Sequence, residues 1–231
     1  MSNFTTLIHR YIMQKKYLVI GLLISLLFTS CSKKEVLLPQ VPVSGATEIQ
    51  NHSEVWVFYN EKAAGDKADI NMNNLITSTN WILNIDRRLA LREVVPVFQT
   101  VHAKRAKKTM HSVEGMTDYI SYSNTKDKNI SVFPISDKSY LMLDWNDIQE
   151  LNGTKVCKNE IIFYKNRVKI NGQMYPGISW KQNLSALDMT DCVQLIFDSR
   201  MTYQQYVKYR LELDELLPEK IVVQHTEYII K

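Results

Sequence analysis

Two aspartates stand where chemistry could begin. Asp86 and Asp198 each close an apolar run, and each is followed two positions later by an arginine, Arg88 or Arg200. A carboxylate at the end of a strand could serve as a general acid or base, or could receive the N–H donors that open the next helix. The second role needs no substrate, so both are read as helix-capping aspartates. Other acids offer less: Asp214 and Glu215 are adjacent, and consecutive helical positions point apart. The five histidines, His9, His52, His102, His111 and His225, include no pair spaced to put two metal ligands on one helical face. Seven glycines make no phosphate-cradling loop, and no Gly-x-Ser-x-Gly elbow occurs. We therefore expect no metal, no cofactor and no catalytic residue, and read the chain as not an enzyme.

Cysteine chemistry divides in two. Cys157 and Cys192 lack Cys-x-x-Cys spacing, and either a disulfide between them or two buried thiols is consistent with the sequence. Cys31 ends the stretch LLISLLFTSCSKKE. Lys15 and Lys16 precede a mostly apolar run of twelve residues, 17–28. A membrane span needs about 20 such residues, whereas a secretory signal needs about 7–15. Thr29 and Ser30 before Cys31 resemble the lipobox of bacterial lipoproteins, although Phe28 departs from the small or aliphatic residue usual there. The resemblance implies a signal peptide over 1–30 and a diacylglycerol on Cys31. The protein would then be lipid-anchored to a membrane of the bacterial cell envelope, facing the periplasm. A short transmembrane helix with an incidental cysteine is the alternative.

Losing Arg10, Lys15 and Lys16 with the signal takes the net charge from +4 to about +1, which gives no electrostatic case for nucleic acid. The basic cluster KRAKK, 104–108, reads as a solvated loop, with an acidic partner or anionic membrane as the functional alternative.

The elements that must position these residues fall into segments. Residues 31–51 hold Pro39, Pro42 and Gly45 without a sustained period and read as a flexible tether. A first α/β module is expected over 52–136, a linker over 137–155 and a second module over 156–231. In the second module, 161–164 and 167–170 read as strands, with Asn171-Gly172 a turn. A weak helix over 179–187, a strand over 192–197, a helix capped by Thr202 and a last strand at Ile221, Val222 and Val223 complete a β-β-α-β-α-β order.

The segments EIIFYKNRVKING, CVQLIFDSRMTYQQYVKYRLELDELL and KIVVQHTEYI resemble the periplasmic domain of the ExbD/TolR family over about a third of the chain. That resemblance implies an α+β fold of small mixed sheets with helices on one face. It also implies an envelope protein partner, with the chain as accessory to an ExbB/ExbD/TonB-like biopolymer transport complex. Family members associate through strand edges, which singles out Ile221, Val222 and Val223, then Tyr203 and Tyr206, as partner contacts; core packing is the alternative for all five. A homodimer is a further expectation. The family's transmembrane proton-coupling aspartate has no counterpart, because no acid occurs in 1–30.

Inside the chain, WILNIDRRLALREVVPVF lies over VQLIFDSRMTYQQYVKYR at a constant offset of 112, with Asp86 on Asp198, Arg88 on Arg200, Leu89 on Met201 and Val95 on Val207. Upstream, Glu54 to Tyr59 falls where Glu160 to Tyr164 falls. The match suggests two tandem degenerate modules. Any strand followed by a helix would align comparably, and Pro96 would interrupt the first helix. A reading from another class makes the protein bind a small ligand or glycan through Trp56, Trp81, Trp145 and Trp180.

Overall fold

Alternation appears first in the strand His52–Tyr59, where Ser53, Val55 and Val57 are buried and Glu54, Trp56 and Phe58 are only partly so. A period of two is what a strand with one face on a core requires. This strand opens a computed structural model that describes residues 34–107, 113–153, 157–217 and 221–231. The expected signal segment 1–30 and Cys31 lie outside the described residues. Residues 36–231 form one compact unit; of the N-terminal unit only Lys34 and Glu35 are described.

Sheet 1 contains β1 (Gln40–Val41), β2 (His52–Tyr59), β3 (Ala68–Asn71), β4 (Asn80–Ile85), β5 (Asp118–Asn124) and β6 (Asn129–Pro134), with helix α1 (Leu91–Ala106) between β4 and β5. Sheet 2 contains β7 (Ser139–Leu143), β8 (Asn159–Phe163), β9 (Arg167–Ile170), β10 (Gln173–Pro176), β11 (Val193–Asp198) and β12 (Val223–Ile230). Helix α2 (Trp145–Gly153) follows β7, and α3 (Tyr203–Leu216) joins β11 to β12. A 3-10 turn, Trp180–Ala186, stands where a weak helix is expected. The protein is α+β, with two mixed sheets and few helices.

Four strands of each sheet run in the same order, β3-β2-β4-β5 and β9-β8-β11-β12. In each, the first pair is antiparallel and the next two are parallel. Registers correspond too: Ser53 faces Trp81, and Asn159 faces Val193, which is Trp81 carried forward by 112. Beyond that shared order the sheets differ, since β5 continues to an antiparallel β6 and β12 to a parallel β7.

The helices start from similar geometry. Thr202 completes a capping box: its Oγ1 accepts from the Gln205 N–H and Gln205 Oε1 accepts from the Thr202 N–H. At the corresponding position Ala90 supplies no side-chain acceptor, and only the reverse bond, Ala90 N–H to Glu93 Oε2 at 2.8 Å, is present. Helix α1 runs through Pro96, whose ring is exposed. It crosses sheet 1 with Val94, Val97, Phe98 and Val101 buried; α3 lies on sheet 2, with Tyr206 edge-on to Phe197 and Tyr209 against Phe163. One apolar core continues through both halves, and Phe98 stacks on Tyr140 of β7 at 4.6 Å.

Four expectations need correction. Sheet 2 carries helices on both faces rather than one, α3 against Phe197 and α2 against Ile162 and Ile196. The stretch 137–155 is not a linker, because it holds β7, paired along its length with β12, and α2. From residue 36 onward the tether is docked: Val41 and Val43 enter the core, β1 pairs with β5, and Gln40 exchanges two hydrogen bonds with Gln204. The last strand begins at Val223 rather than Ile221 and is interior, flanked by β11 and β7, so its backbone donors are not free for a partner.

Candidate functional site

The two aspartates sit at the junction of the halves, but they do not cap helices. Asp86 Oδ1 accepts from Arg88 N–H and Nε, both at 2.9 Å, and Oδ2 accepts from the Arg88 guanidinium at 2.7 Å and the Leu37 N–H. Asp198 repeats the set with Arg200, at 2.9, 3.0 and 2.7 Å. Each side chain turns onto the arginine two residues on, which closes the turn before the helix and leaves the cap to Ala90 or Thr202. Burial alone would raise the Asp86 carboxyl, but the Arg88 hydrogen bonds hold it below its usual value. The Arg200 hydrogen bond holds Asp198 down in the same way. Carboxylates fully engaged by their own arginines are poor proton acceptors.

Across this junction the halves bind each other reciprocally. Leu91 N–H donates to Met201 O and Tyr203 N–H to Leu89 O, both at 2.8 Å; these are the same bond under the offset of 112. Arg92 N–H donates to Ser199 O at 3.0 Å, and Gln204 N–H to Arg87 O at 3.2 Å, again equivalent positions. Ala90 and Thr202 form an antiparallel bridge at the centre. The relation is that of a local twofold.

A different arrangement lies on the outer face of sheet 1, the face turned away from α1. Trp56 pairs with Asn84 across β2 and β4, and Ser121 of β5 donates to Asn84 Oδ1 at 2.6 Å. Asn84 and Ser121 are only 5% and 1% exposed, yet Asn84 Nδ2 has no hydrogen-bond partner among the described residues. An unpaired buried donor costs about 1–3 kcal/mol. The row floors a cleft of about 590 Å³, walled by Glu54 and His52 and rimmed by Leu38 and Glu48 of the docked N-terminal segment. His52 Nδ1–H donates to Ile49 O at 2.7 Å, which holds the ring at the rim. A smaller hollow, about 420 Å³, lies beside Ile178 between Lys165 and Lys208.

Buried ion pairs, which the sequence reading did not anticipate, lie on the inner faces. Arg210 Nε donates to Glu227 Oε1 at 2.9 Å, and the Tyr206 hydroxyl donates to Oε2 at 2.7 Å, with Glu227 wholly inaccessible. Burial opposes the Arg210 charge, but Glu227 and Asp214 outweigh it and hold its pKa above the ordinary value. Arg105, expected in the solvated KRAKK cluster, instead turns inward, pairs with Asp118 at 2.6 Å and stacks over Trp81 at 3.5 Å. Its sequence signal was obscured by the lysines around it.

Tyr203 and Tyr206 are buried and are not surface contacts; burial raises both hydroxyl pKa values. Val222 is 63% exposed, Ile221 is buried, and Val223 is half-buried. Cys157 and Cys192 are joined in a disulfide with Cα atoms 5.0 Å apart, so with Asp191 nearby they offer no thiolate to a metal. Among the tryptophans, Trp81 and Trp180 are buried and Trp145 packs on the cluster of Ile148, Ile162 and Ile196. Trp56 alone of the four lines the cleft. No helix among the described residues is long and apolar enough to cross a membrane. No protein-family model, curated protein or solved structure matches this chain.

Proposed function

We propose that this chain is a non-catalytic binding protein of the bacterial cell envelope, held by a lipid on Cys31 and built from two degenerate ExbD/TolR-like modules in tandem. The observation that carries this reading is the reciprocal junction: equivalent backbone groups of Leu89, Leu91, Met201 and Tyr203 bind each other across a local twofold. Two sheets sharing an order and register, joined through equivalent helix starts, are what a duplicated module paired with itself would give. The second module would follow a β-β-α-β-α-β plan in which the 3-10 turn replaces the first helix and β10 is added to the edge.

Such a protein acts by contact, as accessory to an ExbB/ExbD/TonB-like transport complex. With β12 interior, the contact edge moves to β10, one of the two terminal strands of sheet 2, which carries Met174 and lies beside the 97% exposed Ile178. Terminal strands carry backbone donors open to a partner strand. The test is cross-linking in native membranes, gentle solubilisation and affinity capture of full-length protein tagged after Lys231, with Cys31→Ala as control. Enrichment of a proton-channel subunit or of an ExbD- or TonB-type protein, lost with Cys31→Ala, is expected. Recovery of the protein alone would refute the accessory role and leave only a shared architecture.

A further inference from the structure

We propose that the cleft on the outer face of sheet 1 binds a neutral sugar ring, seated on Trp56 and hydrogen-bonded by Asn84. The equivalent face of sheet 2 is apolar and covered. There Ile162 faces Ile196, which faces Tyr228, and the row is closed by α2 through the fully buried Ile148. Under the correspondence between the sheets, Ile162 stands where Trp56 stands and Ile196 where Asn84 stands. One sheet carries an apolar row covered by its own helix. The other carries an indole, an amide and a hydroxyl, and an open cleft lies over them.

Those polar groups satisfy one another only in part. Ser121 occupies Asn84 Oδ1, and the opposite end of the amide, Nδ2, is buried with no partner among the described residues. A buried donor left unpaired is costly, and a ligand oxygen removes that cost. Glu54 and Glu48 bring carboxylates that can only accept, so the ligand must also present hydroxyl or N–H donors. No lysine or arginine is among the described residues lining the cleft, so nothing there offsets the repulsion that Glu48 and Glu54 exert on an anionic ligand. Trp56 offers an aromatic face, which suits the C–H face of a ring. A cation would satisfy Trp56 and the glutamates but leave Nδ2 unpaired. A pyranose meets all of these demands, and an acetamido group adds a carbonyl for Nδ2 and a methyl for the apolar rim. The volume lies within the usual range for small-molecule sites, about 300–1,000 Å³.

Isothermal titration of the full chain in detergent, with N,N′-diacetylchitobiose, cellobiose and choline chloride as probes, tests the assignment. A saccharide is expected to bind and to perturb tryptophan fluorescence. Trp56→Ala and Asn84→Leu are each expected to weaken it by roughly tenfold or more. Trp145→Phe should bind like the wild type. Because Asn84 is buried, Glu54→Gln provides a second, less intrusive variant with the same expected direction, and thermal unfolding verifies that each variant is folded. Failure of both saccharides to bind, binding of choline in their place, or saccharide binding undiminished in folded Trp56→Ala and Glu54→Gln would each overturn the proposal.

Discussion

If the two helix starts are equivalent, Ala90 is a position where a missing cap can be restored. Its backbone, φ −74° and ψ 149°, is nearly that of Thr202, φ −74° and ψ 154°. Half the capping box already exists, since Glu93 receives the Ala90 N–H. In Ala90→Thr the new Oγ1 would accept from the Glu93 N–H, as Thr202 Oγ1 does from Gln205, whose bond is 3.3 Å long. Both sites are partly exposed and extended, so a β-branched residue enters without positive φ or overpacking. N-cap substitutions of this kind change stability by about 1 kcal/mol, which for a protein of this size is about 2–4 °C in Tm. Thr202→Ala should lose a similar amount. Urea unfolding with an unchanged m-value, together with thermal scans, measures both variants. If Ala90→Thr is neutral or destabilising while Thr202→Ala loses about 1 kcal/mol, the two starts do not share geometry and the equivalence argument fails.

Other perturbations have definite directions. Reducing the Cys157–Cys192 disulfide frees a loop with a sequence separation of 35, and chain entropy puts the loss near 4 kcal/mol; a urea midpoint unmoved by reductant would contradict this. Glu227→Gln leaves Arg210 buried against an uncharged partner and should cost about 3–5 kcal/mol, whereas Glu227→Leu combined with Arg210→Met should cost less than either change alone. Asp86 and Asp198 have folded pKa values below their unfolded ones, so their stabilisation is complete above the unfolded value, about 3.9, and disappears as pH falls through the folded value. Asp86→Asn with Asp198→Asn should therefore be less stable than wild type at neutral pH and lose less on acidification below about pH 4, as read by urea midpoints across pH.

Local signals in the sequence survived contact with the structure. Asn171 and Gly172 turn at positive φ, 45° and 89°, as their types require, and Thr202 caps its helix. The misreadings share a cause, which is that pairing partners far along the chain decide what a short apolar segment becomes. SYLML looks like part of a linker until Ser139 is set against Thr226, and its strand exists only in that register. DYISYSN, inside the first module but with no strand expected there, is a strand because β4 and β6 flank it. The prolines at 39 and 42 hid Val41, which β5 and the core recruit. Asp86 and Asp198 were legible as helix-start residues, but the arginine two positions on competes for the carboxylate and wins. The cleft was least legible, since Trp56 and Asn84 are 28 positions apart and meet only through strand register.

Pairing the halves through their helix starts commits the inner faces of both sheets to the shared core, so any ligand or partner must use outer faces or edges. There the halves part company. Ile162 and Ile196 need cover and receive it from α2, whereas Trp56 and Asn84 lie beneath an open cleft that the N-terminal segment helps to line. The same two positions are therefore under opposite physical demands. A polar residue at Ile196 would place an unpaired group under α2 and destabilise the fold, while an apolar residue at Asn84 would remove an unpaired group and leave stability unchanged or improved. A neutral or stabilising Asn84→Leu that also abolishes saccharide binding would show stability given up for recognition in one half and not in the other.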